Sequence, residues 1–178
     1  MKKYIITFLS IFLFNLQAVE AKEKNVNIYL SSREIPQKVF YNSNGHKLTL
    51  DDFHGKFVLL LYWSRDCVPC IKELKSLNGF YNKTYGSSIE LILISNGKEW
   101  KNIEEKRKFM KIYKAGDMNF YIDPEGKIAE SFGIFAFPHT VLINTKGREI
   151  GRIRGAADWD EPEILEYIHN LKSKYNNL

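Results

Sequence analysis

The run FVLLLYW, Phe57 to Trp63, limits the fold more than any other part of the chain. It is apolar or aromatic at every position, so a strand built from it must be covered on both faces, the situation found in sheets flanked by helices. It leads directly into SRDCVPC. Beyond that, Ile71, Leu74, Leu77 and Tyr81 recur at helical spacing in a segment that Gly79 is expected to interrupt. IELILIS (Ile89 to Ser95) repeats the buried-strand pattern, and EWKNIEEKRKFMKIYK reads as a second helix. Upstream, KVFYNSNGHKLTL has two extended pieces about the hairpin pair Asn44-Gly45, followed by a short turn or helical piece, DDFHGK. Downstream, FYID is extended, DPEG is a turn, and KIAESFG is a helical turn ending at Gly133. TVLIN, TKG and REIGRIR make a hairpin. DEPEILEYIHNLKSKY is a terminal helix with Asp160 at its N-cap and Pro162 in the first turn. This order predicts an α/β fold, a mixed sheet flanked by helices.

The ends of the chain differ from its middle. Met1-Lys2-Lys3 is positive, the run from Tyr4 to Val19 is uncharged, and Val19 and Ala21 occupy the small-residue positions of a cleavage site. The uncharged run has 16 residues, slightly short of the ~17–25 a spanning helix needs. Residues 1–21 are therefore read as a signal peptide or an N-terminal anchor, which implies export to the periplasm, either free or tethered to the inner membrane. Residues 22–37 read as a polar lead-in, and 38–178 as the folded domain. Of the 178 residues 44% are apolar and 26% charged, a composition that supports one globular domain. The net charge of +5 is spread along the chain, and its densest basic stretch, EEKRKFMK, alternates in sign. That stretch reads as a solvated helix face, not as a surface for nucleic acid.

Cys67 and Cys70 are the only cysteines. A bridge across two residues closes almost no loop, so a staple is a poor explanation for it. Zinc needs two more ligands, and His46, His54, His139 and His169 do not pair at ligand spacing. No metal or other cofactor is expected. Redox cycling remains. Cys67 falls where a strand gives way to a helix, and the dipole and free N–H groups of a helix N-terminus favour a thiolate. Pro69 suits the first turn, and Cys70 is expected to be the more buried sulfur. The expected mechanism has Cys67 attack a client disulfide and Cys70 resolve the mixed intermediate. Asp66 should raise the Cys67 pKa, but only slightly if it faces solvent.

The combination of LLLYWSRDCVPC, Glu73 three residues past the second cysteine, and FGIFAFPHTVLINTKGREIGRIRG with Pro138 before a strand resembles the TlpA/ResA type of thioredoxin-fold protein. The resemblance spans roughly Lys38 to Tyr175. It implies a thioredoxin-like mixed β-sheet flanked by helices, with an N-terminal β-hairpin extension and a central insertion. It also implies a cis Phe137–Pro138 bond, whose exposed backbone pairs with an extended substrate segment, and a proton-handling role for Glu73. Trp63, Phe137, Pro138 and His139 are the substrate-binding candidates. Three positions depart from the wider pattern. Leu61 stands where thioredoxins carry a buried aspartate, Asp66 where a tryptophan is usual, and His139 where a threonine is commonest. His139 is equally open to a titrating or substrate-contacting role and to a plain loop position.

The resemblance implies a reductant of specific disulfide-containing client proteins, of the kind used in cytochrome c or copper-site assembly, fed by a membrane thiol electron donor. A disulfide oxidase or isomerase on the same fold differs only in potential. A peroxiredoxin-type thiol peroxidase is the other alternative. Ser64 lies three residues before Cys67 as in those enzymes, but Leu60 replaces their proline.

Overall fold

The computed structural model of the protein describes residues 25–175. The expectation for residues 1–21 therefore lies outside the described residues. Among the described residues eight strands form one sheet: β1 (Val26–Arg33), β2 (Phe40–Asn42), β3 (Lys47–Leu48), β4 (Phe57–Tyr62), β5 (Ile89–Asn96), β6 (Phe120–Asp123), β7 (His139–Ile143) and β8 (Glu149–Arg154). Four α-helices accompany them: α1 (Val68–Thr84), α2 (Ile103–Ile112), α3 (Lys127–Phe132) and α4 (Pro162–Tyr175). The strand order is β1-β8-β7-β4-β5-β6-β2-β3, with β4 parallel to β5 and antiparallel to β7. The fold is α/β and mixed, as the strand and helix patterns indicate.

The apolar run becomes the central strand. Alternation along β4 sends Leu59, Leu61 and Trp63 into a core with α1 and α4, and Val58, Leu60 and Tyr62 into a second core with α3. Every residue of β4 is buried. The hairpin about Asn44-Gly45 forms as β2–β3 and extends the sheet beyond β6. Gly45 has φ +80°, the left-handed conformation that this turn requires.

Two expectations are corrected. First, α1 runs unbroken through Gly79. The glycine serves close packing: a Cβ there would lie 2.5 Å from Asp160 Oδ1, beneath the start of α4. Second, the polar lead-in contains β1, which pairs antiparallel with β8 over Val26–Ile28 and again at Arg33. Its residues are half-buried or exposed, with Val26 and Ile28 packing on the edge of the main core. The strand is held by the β8 ladder and by Tyr29 Oη, which donates to Glu149 at 2.8 Å. Gly151 opposite Ile28 permits this approach, since a Cβ there would meet Asn27 O at 2.6 Å.

Candidate active site

The end of β4 delivers the cysteines. Trp63 N–H donates to Ile94 O, which extends the β4–β5 ladder by one residue. The chain then turns through Ser64–Asp66, closed by Cys67 N–H donating to Ser64 O at 3.2 Å. Cys67 is the N-cap of α1, and its Sγ accepts from Cys70 N–H at 3.3 Å. A sulfur held at the N-cap of a 17-residue helix receives both a direct N–H bond and the positive end of the dipole. That is a setting for a stabilised thiolate. Here the two sulfurs are joined as a disulfide, with 5.3 Å between Cα atoms. Cys67 is half-buried, Val68 and Pro69 are exposed, and Cys70 is 1% exposed. A client approaching from solvent therefore meets Cys67 first.

One turn beyond Cys70 lies Glu73, 4% exposed. Its Oε2 accepts from the Ala157 N–H and from Trp159 Nε1, each at 3.0 Å. Among the described residues no partner reaches Oε1. Burial pushes this carboxyl from 4.5 up to about 7, against the lowering effect of the Ala157 and Trp159 bonds. Among the described residues no charged group contributes to this shift, so the carboxyl is partly protonated near neutrality and can give up or take a proton there. Glu73 and Pro69 also line a cleft of about 470 Å³ together with Ala157 and Asp158, so a buried proton site opens toward the surface beside the redox pair. Trp159 was not legible as a site residue. It belongs to the loop before α4, and only the tertiary fold brings it to α1.

The third part of the site is the loop before β7. Tyr62 pairs with His139 across β4 and β7, so the Phe137–Pro138 bond sits at the same end of the sheet as the cysteine turn. That bond is cis. Phe137 is 36% exposed and stacks on Tyr62 with ring centroids 5.6 Å apart, and Phe135 beside it is 88% exposed. Pro138 is buried, and its carbonyl accepts from Gly155 N–H.

His139 takes a different place from the cysteines. Strand alternation puts it with Val141 and Ile143 on the α3 face, opposite the face that carries α1. It is 6% exposed, and desolvation with Arg152 and Arg154 nearby lowers its pKa to about 4. It is neutral at physiological pH and buried behind the loop. Trp63, also read from the sequence as a substrate contact, is completely buried, because its strand phase points it inward. Its ring packs on Trp100 and Phe109.

Behind Trp63 sits an unexpected group. Lys106 on α2 is 0% exposed, with Nζ 2.6 Å from Ser95 Oγ and 2.8 Å from Tyr121 O. Trp63, Trp100 and Phe120 surround it, each ring centroid 5.1–5.5 Å from Nζ. The alternating charges of EEKRKFMK suggested a solvated face; one of its lysines is core.

Asp66 is exposed at the outside of the turn, its N–H donating to Ser64 Oγ. A carboxylate in water acts weakly on a neighbour, because the high dielectric screens it. Asp66→Asn is therefore expected to change the Cys67 pKa by less than about one unit, as read from thiolate absorbance against pH. A fall larger than that would assign Asp66 a tuning role.

Comparison with known proteins agrees with this geometry. The AhpC/TSA family model matches residues 19–148. Thiol-disulfide oxidoreductase ResA of Bacillus cereus is 31% identical over 157 residues, 87% of this chain and 84% of that protein. The Bacillus subtilis ResA is 26% identical over 141 residues, 78% of this chain and 74% of that protein. Among solved structures, a thiol:disulfide interchange protein from Bacteroides sp. superposes with a TM-score of 0.66 at 22% identity, over 83% of this chain and 93% of that one. StoA from Bacillus subtilis superposes at 0.58 and 20%, over 79% and 98%. With its redox pair at the N-cap of α1 and a cis-proline loop at the same sheet end, the chain belongs to the AhpC/TSA thioredoxin-fold family and is a thiol–disulfide oxidoreductase of the ResA type.

Proposed function

We propose that the protein is an exported reductant of disulfides in particular client proteins, of the cytochrome c or copper-site assembly kind, recharged by a membrane thiol donor. The observation that carries this reading is Glu73, a buried carboxyl that holds a proton to about pH 7 one turn from the resolving cysteine. In the forward direction Cys67 thiolate attacks a client disulfide, forming the mixed disulfide and releasing one client thiolate, which takes a proton. Cys70 then loses its proton, for which ionised Glu73 is the acceptor within the site, and attacks Cys67 Sγ. The second client thiolate leaves and is protonated. Two electrons pass to the client, whose two thiols take one proton from solvent and one equivalent to that released by Cys70 through Glu73, and the Cys67–Cys70 bond remains. Phe137 and Phe135 offer exposed apolar surface beside the cis bond for an extended client segment, which adds by backbone pairing.

A Cys70→Ala variant expressed in the native host is expected to accumulate exported clients as mixed disulfides on Cys67. The reduction potential of the parent is expected to lie near those of reducing thioredoxins, about −270 mV, and not near about −120 mV, the region of strong oxidants. A value in the oxidant range would overturn the direction. Cys67-dependent consumption of hydrogen peroxide by the parent would favour the peroxidase alternative.

A further inference from the structure

The turn that carries Cys67 is held from one side by a single residue. Arg65 N–H donates to Glu99 Oε2 at 3.0 Å, while Nη1 donates to Glu99 O at 2.9 Å and to Glu105 Oε1 at 3.1 Å. Its guanidinium lies 4.8 Å from the Trp100 ring centroid and 5.7 Å from that of Phe109, the two rings that also pack on Trp63. Main chain, side-chain fork and aromatic face are thus all engaged by one segment, Glu99 to Phe109. The partners are themselves fixed. Glu105 Oε2 accepts from the Lys101 N–H, and its own N–H donates to the α2 N-cap residue Asn102. The positive charge is already paired with Glu105.

We propose that Arg65 is a positioning residue for Cys67, clamping the turn Ser64–Cys67 to the Glu99–Phe109 segment so that Cys67 Sγ stays in bonding position over Cys70. The mechanism is entropic. Cys67, at the N-cap, is held by the first helical bond on one side and by its turn on the other, whereas Cys70 is fixed inside α1. Restricting the turn in advance raises the effective concentration of one sulfur at the other and favours closure of the disulfide. The clamp therefore makes the couple more reducing. Arginine suits the position because Nη1 reaches both acceptors while the rigid guanidinium plane stays against the Trp100 ring, a geometry that a flexible lysine stem does not fix in advance. The proposal rests on the Cys67–Cys70 couple alone and holds for either direction of electron flow.

The test is the equilibrium of the full-length protein with glutathione, in which protein dithiol and glutathione disulfide give protein disulfide and two glutathione thiols. Arg65→Ala and Glu99→Ala are both expected to lower this constant about tenfold, equivalent to a potential about 30 mV higher. The double variant is expected to fall further than either single one, because Arg65→Ala leaves the Arg65 N–H bond to Glu99 Oε2 and Glu99→Ala leaves the guanidinium bonds to Glu99 O and Glu105. Arg65→Lys, which keeps the charge but not the rigid guanidinium plane on Trp100, is expected to recover only part of the loss. An electrostatic role predicts opposite signs instead: losing Arg65 would destabilise the thiolate and losing Glu99 would stabilise it, with Arg65→Lys like the parent. That pattern would overturn the clamp. Unchanged constants with lowered melting temperatures would also overturn it, leaving a purely structural Arg65. The parent's own potential tests the reductase reading separately, since the clamp is judged only on differences between variants.

Discussion

Replacing Glu73 by glutamine is expected to leave stability unchanged at pH 4 and to raise it by about 3 kcal/mol at pH 8. The glutamate carboxyl is displaced from 4.5 to about 7 by burial. A folded-state pKa raised above the unfolded value stabilises fully below the unfolded pKa, and that contribution disappears as pH rises through the folded one. The parent therefore loses its share between pH 4.5 and about 7, at about 1.4 kcal/mol for each unit of displacement. The amide keeps the acceptor that Ala157 and Trp159 bond and never ionises, so the variant has no such loss. His139 acts in the opposite sense. Its pKa is lowered to about 4, so its contribution is present above 6.5 and declines toward acid. Because that effect is common to both proteins, the difference between their denaturant curves at each pH isolates Glu73. Equal stabilities at both pH values would show that the carboxyl is solvated and ionises normally.

The same substitution separates stability from catalysis. If Glu73 accepts the Cys70 proton, the amide variant resolves mixed disulfides about a hundredfold more slowly and its rate profile loses the inflection near pH 7. A variant that is more stable at pH 8 yet slower there is the signature of a group kept at a cost to the fold for its chemistry. A rate profile identical to the parent's would remove Glu73 from proton transfer.

The sequence carried the parts of this site that depend on local order. Strand phase, the cysteine spacing and Pro69 place Cys67 at a helix start, because a buried run followed by a helical repeat leaves no other position for it. The placement of Glu73 one turn from Cys70 follows from helical spacing too. Its burial does not, because Ala157 and Trp159 are more than 80 residues away in sequence and reach it only through the packing of the loop before α4. Strand β1 was missed for a related reason. Val26, Ile28 and Leu30 do alternate, but the run is short and lies in a polar segment, only Val26 and Ile28 pack on the core, and the pairing with β8 is set by Tyr29, Glu149 and the small Gly151. Trp63 shows the reverse case. Its place in the motif suggests a surface contact, while its phase along β4, legible in the sequence, already directs it inward with Leu59 and Leu61.

Lys106→Met is expected to abolish a rise in stability with pH that the parent shows as pH climbs toward the ordinary lysine value of 10.5. The phase of α2 puts Lys106 on the same face as Ile103 and Met110, so its amine enters the core with them. Complete burial lowers its pKa well below 10.5, with the Glu99 charge opposing only weakly. Nζ donates to Ser95 Oγ at 2.6 Å and to Tyr121 O at 2.8 Å, and Ser95 Oγ also accepts from Trp100 Nε1 at 2.9 Å, so the amine is hydrogen-bonded inside the core. A lowered lysine pKa means the unfolded chain binds a proton that the folded protein lacks, so stability climbs toward the unfolded pKa with a slope approaching about 1.4 kcal/mol per pH unit. The window must close below pH 10, where the buried phenols of Tyr62 and Tyr121, both pushed upward, begin to favour unfolding. Methionine keeps the length and packing of the aliphatic stem against Trp63 and removes the titration. Urea unfolding of both proteins across the window gives the two slopes, and parallel lines would show that Lys106 stays charged in the fold. Trp63 leads straight into the turn that carries Cys67, so the Lys106 amine, bonded to Ser95 Oγ and Tyr121 O, ties α2 to β5 and β6 directly behind the redox turn.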